Sequence, residues 1–113
     1  MAVDMSEVPA AIDVRTLAAW QRDGKQLTLV DVREPWEVEI CRIEGAAAIP
    51  LHTLPARIGE IPVDRPVVVF CHHGGRSAQA VAYLRRSGIG QAINLEGGID
   101  AWAREIDKTV ETY

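Results

Sequence analysis

The sequence predicts an α/β domain of three layers, a mainly parallel central sheet of about five short strands with helices on both faces. Three observations carry this expectation. Strand-like and helix-like segments alternate along the chain. The run Val67-Val68-Val69-Phe70 is apolar without alternation, as a strand covered on both faces should be. The 113 residues suffice for one compact domain around a single core.

Each element has a local reason. Residues 1–9 read as a flexible lead-in. Asp13 is placed to cap a short helix through Arg15, Thr16, Leu17, Ala18, Ala19 and Trp20, which ends near Gly24. Leu27-Thr28-Leu29-Val30 is rich in strand formers and closes on Asp31. Pro35 suits the first turn of a helix through Trp36, Glu37, Val38 and Glu39. Ala46 to Ile49 reads as a weak strand before Pro50, because alanine is a poor strand former. Leu51 to Ile58 is a helical connection whose regularity Pro55 limits.

After the Val67–Phe70 strand, Arg76 to Ser87 reads as a helix. Ala80, Val81 and Leu84 share one face, and Gly88 stands where a terminating glycine belongs. Ala92 to Leu95 is the last strand. Gly97-Gly98 leads into a helix carrying Ile99, Ala101, Trp102 and Ile106. Residues 107–113 form a polar tail expected to fray.

Composition excludes several function classes. Hydrophobic residues make up 48% and charged residues 25% of the chain, and the net charge is −4. That balance argues against nucleic acid as a partner, and the basic residues are scattered. No apolar run approaches a membrane span, and the N-terminus lacks the apolar core of a secretory signal. Two cysteines, Cys41 and Cys71, are too few for a disulfide framework. The expectation is a single cytoplasmic domain over residues 1–113 with free thiols.

Chemistry concentrates at Cys71-His72-His73-Gly74-Gly75-Arg76-Ser77. A free thiol has a pKa of about 8.5, so only a minority is thiolate at neutral pH. Here the next helix presents unpaired N–H groups and the positive end of its dipole. Gly74 and Gly75 let successive amides converge on one point. Arg76 adds a full charge, and His72 and His73 can add part of one. A cysteine ending an apolar strand is ordinarily a packed core residue. The glycines, the arginine and the helix start favour a nucleophile instead. Cys41 lacks such neighbours and reads as packing. Zinc is disfavoured because three adjacent ligand types, Cys71, His72 and His73, seldom converge on one ion.

The chain resembles single-domain rhodaneses, sulfurtransferases of the thiosulfate type. Four motifs in order carry the resemblance and span nearly the whole sequence. They are Leu29-Val30-Asp31-Val32-Arg33-Glu34 with Trp36-Glu37; Ile43-Glu44-Gly45-Ala46 running to Ile49-Pro50; the Cys71–Ser77 loop; and Leu95-Glu96-Gly97-Gly98-Ile99-Asp100-Ala101-Trp102. The resemblance implies that Cys71 takes the outer sulfur of a donor such as thiosulfate. A persulfide forms, and its sulfur passes to a thiophilic acceptor. It implies no metal and no organic cofactor. The backbone of His72, His73, Gly74, Gly75, Arg76 and Ser77 would cradle the anion, with Arg76 orienting a sulfonate or bracing the loop. A sulfur-relay protein is a further expected partner, and a relay module that works only with a partner is an alternative reading.

A cysteine phosphatase is the other alternative. Its family has five residues between cysteine and arginine, against the four here. Cys41-Arg42 stands where the family often has Gly-His, a scaffold position. Asp31 either caps its turn or supports the loop or Arg76. Arg33 is a surface residue or a second cation for the sulfur source. Trp36 and Trp102 read as packing residues.

Overall fold

The computed structural model describes residues 8–113. The expected lead-in over residues 1–9 therefore lies mostly outside the described residues. Five strands form one sheet in the order β1-β5-β4-β2-β3, and every pairing is parallel. They are β1 (Ala11–Ile12), β2 (Thr28–Asp31), β3 (Ala47–Ala48), β4 (Val67–Phe70) and β5 (Ala92–Leu95). The helices are α1 (Val14–Arg22), α2 (Pro35–Ile40), α3 (Leu54–Arg57), α4 (Gly75–Arg86) and α5 (Gly98–Glu105).

The sheet divides the core. Successive residues of a strand point to opposite faces. Val67 and Val69 pack with Leu54, Ala80, Val81 and Leu84 on one face. Val68 and Phe70 pack with Leu17, Ile93, Ile99 and Trp102 on the other. All four β4 residues are buried, which explains the run without alternation. Deep parallel burial of β4 places its C-terminal end, and so Cys71, in the middle of the sheet edge where such folds hold their sites.

Most elements form where their sequences place them. Asp13 caps α1 by accepting from the Thr16 amide at 2.8 Å. The segment from Leu51 is helical in three short pieces, with 3₁₀ turns at Leu51–Thr53 and Ile58–Glu60 flanking α3. Gly88 follows α4 with φ 97°, as its position suggested.

The differences are informative. β1 has only two residues, too short to show a period, and exists because Ala11 and Ile12 pair with Asn94 and Leu95. The alanine strand shrinks to Ala47–Ala48 at the exposed sheet edge. Trp36 is not a packing residue. It is 59% exposed, and α2 turns Glu37 inward instead. The tail does not simply trail away. Val110 and Tyr113 pack partly against the core, and the Tyr113 ring lies flat on His72 with centroids 3.9 Å apart.

Candidate active site

Cys71 follows β4 directly and is only 2% exposed. Its Sγ accepts from the Gly74 amide at 3.1 Å. Gly74 reaches this position through φ 119°, a region that side chains avoid, and it caps α4. The Ser77 hydroxyl lies 3.5 Å from the same sulfur and is itself buried. Burial acts to raise the Cys71 pKa, but the Ser77 hydroxyl and the amides of Ser77, Gly74 and Arg76 outweigh it, and the thiol sits below its ordinary value.

Ser77 has one hydroxyl proton and two claimants. Asn94 Oδ1 is its nearer acceptor, and Asn94 is held in turn by donating to the Gly74 carbonyl at 3.3 Å. A bond from that hydroxyl to an anionic sulfur is stronger than one to a neutral thiol. Asn94 is thus a site residue that sequence reading missed. Only its place at the end of β5 hinted at it.

The loop is anchored from behind by α5. The Ile99 amide donates to the Cys71 carbonyl at 2.9 Å, and the Asp100 amide donates to the His72 carbonyl at 3.1 Å. This approach requires Gly98. A Cβ there would lie 2.5 Å from the His72 carbonyl oxygen, closer still to that of Cys71, and at φ 59°. Gly98→Ala should therefore displace the loop and destabilise the domain by about 2–4 kcal/mol, combining overpacking with backbone strain. Thermal melting checks the stability, and the alkylation rate of Cys71 reports the loop.

Arg76 does not point freely into the cradle. Its Nη1 and Nη2 donate to the two carboxylate oxygens of Glu37 at 2.8 and 3.0 Å. Burial works to raise the Glu37 pKa, yet the Arg76 bonds prevail and hold the carboxyl below its usual value. Trp36-Glu37 belongs to the first motif, but nothing near it in sequence marks Arg76 as the partner of Glu37.

Asp31 takes its expected turn-capping role by accepting from the backbone two residues on. Arg33, by contrast, is 0% exposed, so it is not a surface residue. Its Nη2 donates to Asp31 Oδ2 at 2.7 Å and to the Cys41 carbonyl at 2.7 Å, and its Nη1 donates to the Tyr113 hydroxyl at 3.0 Å. Asp31 serves Arg33, not Arg76, and also accepts from the Arg33 amide at 3.0 Å. The pair ties β2 to α2 and to the tail.

The two loop histidines stack. His72 lies between Tyr113 and His73, whose centroid is 4.0 Å away at 29°. Burial, then His73, lowers the His72 pKa, and its buried Nε2 has no hydrogen-bond partner among the described residues. His72, His73 and Asp100 bring ligand atoms within 4.8 Å of one another. Asp100 already pairs with Arg104 at 3.0 Å.

Comparison with known proteins gives this geometry a context. The family described as "Rhodanese-like domain" matches residues 13–105. A sulfurtransferase of Allochromatium vinosum is 46% identical over 82% of this chain and 87% of its own length. The thiosulfate sulfurtransferase GlpE of Stutzerimonas stutzeri is 34% identical over 74% of this chain and 76% of its own. The crystal structure of a rhodanese-like domain protein from Staphylococcus aureus superposes with a TM-score of 0.80 at 32% identity, covering 91% of this chain and 97% of that one.

Proposed function

We propose, on the premise that the chain belongs to the rhodanese-like domain family, that it moves a sulfane sulfur from thiosulfate or a similar source to a thiophilic acceptor through a persulfide on Cys71. The observation that carries this reading is the Cys71 sulfur itself, buried yet surrounded by the Gly74 amide and the Ser77 hydroxyl. Such an environment favours a sulfur anion over a neutral thiol.

In the first half-reaction the Cys71 thiolate attacks the outer sulfur of the source. With thiosulfate, the bond between the two sulfur atoms breaks and sulfite leaves with both charges. The new outer sulfur on Cys71 carries the thiolate's charge. In the second half-reaction a thiol, a protein or cyanide takes that sulfur, and the Cys71 thiolate returns. Two covalent half-reactions imply ping-pong kinetics. The Gly74 amide and the Ser77 hydroxyl stabilise the charge on either sulfur. The acceptor side allows a small thiol or a relay protein.

The test is direct. The protein is incubated with thiosulfate and, separately, with 2-mercaptoethanol persulfide, and its intact mass is measured before and after cyanide. The expected result is a gain of one sulfur atom, then its loss as thiocyanate. No gain from either source defeats the reading, and hydrolysis of an aryl phosphate in its place would support a phosphatase.

The depressed thiol has a pH signature. A group whose folded pKa is lowered contributes its stability fully above the unfolded value, and loses it as pH falls through the folded value. Alkylation of Cys71 by iodoacetamide should accordingly show its midpoint below the roughly 8.5 of a free cysteine. Ser77→Ala should move that midpoint upward, because a hydroxyl that favours the anion is gone. An unmoved midpoint would mean that the amides alone hold the thiolate.

A further inference from the structure

Among the described residues, Arg76, Arg33 and Arg104 are each matched by an anion of the protein. Arg76 gives both terminal nitrogens to Glu37. Arg33 is sealed in the interior on Asp31. Arg104 is paired with Asp100, the residue that His73 faces at 3.9 Å. His72 is held toward its neutral form, first by burial and then by His73. Polar N–H groups therefore line the cradle, these arginines bring it no uncompensated full charge among the described residues, and the sulfur they surround must itself be an anion to react.

Beside the loop stands a surface of a different kind. Tyr113 lies flat on His72, and Trp36, largely exposed, meets the Tyr113 ring edge-on at 6.3 Å. These rings offer apolar contact to an organic body.

We propose that the sulfur source this site prefers is an organic persulfide, R–S–SH, carrying at most one negative charge, rather than the thiosulfate dianion. This preference rests on the sulfur-transfer reading of Cys71. The Cys71 thiolate attacks the terminal sulfur, and a bond forms between them. The S–S bond of the persulfide breaks, and R–S⁻ leaves with the electron pair to take a proton from water. The negative charge of the Cys71 thiolate thus departs on R–S⁻, and the proton of the terminal sulfur stays with that sulfur on Cys71. A dianion would have to approach the thiolate without a free cation to offset the repulsion.

The experiment measures the second-order rate constant of sulfur loading by quenched intact mass, so that no acceptor intervenes. Thiosulfate and 2-mercaptoethanol persulfide are compared in the wild type, in Glu37→Gln and in His73→Arg. Salt is raised across the range in which the screening length shrinks from about 30 to about 3 Å. In the wild type the persulfide loads faster, and the thiosulfate constant does not fall with salt, because no net attraction is there to be screened. Glu37→Gln releases the charge of Arg76, and His73→Arg adds a cation on an exposed side chain. Each should raise the ratio of thiosulfate to persulfide loading about tenfold, the effect of one unit charge beside a partly aqueous site.

His73→Arg lies on the surface, so the test survives if Glu37→Gln fails to fold. A wild-type thiosulfate constant that exceeds that of the persulfide and falls steeply with salt overturns the preference. So does a ratio that His73→Arg leaves unmoved. Failure of both sources to load would instead defeat sulfur transfer itself.

Discussion

Cys71→Ser is expected to remain folded and to gain no sulfur from any source. The substitution nearly preserves volume, and the serine hydroxyl can still accept from the Gly74 amide and meet Ser77. What it removes is the atom that can be an anion at neutral pH and bond a second sulfur. Turnover to thiocyanate should fall on the order of 10⁴-fold or more, as when a covalent nucleophile is deleted. Intact mass shows the missing sulfur, and circular dichroism with thermal melting shows that the fold persists. Cys41→Ala sharpens the result. Burial pushes the Cys41 thiol upward and outweighs the nearby Arg33. It should stay a neutral thiol, and its removal should leave loading on Cys71 intact. Sulfur retained by Cys71→Ser but lost on Cys41→Ala would reassign the nucleophile.

What the sequence disclosed about this site was whatever depends on near neighbours. Val67 to Phe70, the thiol after them, Gly74 and the start of α4 are contiguous, and each follows from strand burial, glycine freedom or helix polarity. The partnerships were illegible because they cross the chain. Glu37 and Arg76 are 39 residues apart, and Arg33 and Tyr113 are 80 apart. Residue type even misled at α2. Trp36 reads as the residue to bury, yet the short helix buries Glu37, because a carboxylate there satisfies Arg76 and the Glu34 amide. β1 left no trace for a different reason, since two residues carry no period and their pairing with β5 is set by tertiary contact.

Arg33 carries the second large prediction, and it separates scaffold from chemistry. Arg33→Leu removes a guanidinium that is fully buried and leaves Asp31, itself buried, with no cation. It also strips donors from the Cys41 and Glu37 carbonyls and from the Tyr113 hydroxyl. Desolvation opposes the charge on Arg33, but the bonds to Asp31 and Tyr113 exceed it, and the guanidinium pKa is raised. Breaking one side of such a pair costs about 3–5 kcal/mol, which lowers Tm by roughly 10–25 °C in a domain of this size. Arg33→Leu combined with Asp31→Asn should regain part of that loss, because no unpaired charge remains in the core. Arg33→Lys should fall between, since an ammonium cannot reproduce the planar fork that spans Asp31, Cys41 and Tyr113. The kinetic arm decides the role. Well below its Tm, the double variant should still load sulfur on Cys71, with any weakening confined to the fraction folded. If Arg33 instead bound the sulfur source, KM for that source would rise in the double variant while the folded fraction stayed high. Complete burial of the guanidinium behind α2 and Tyr113 argues for the scaffold outcome.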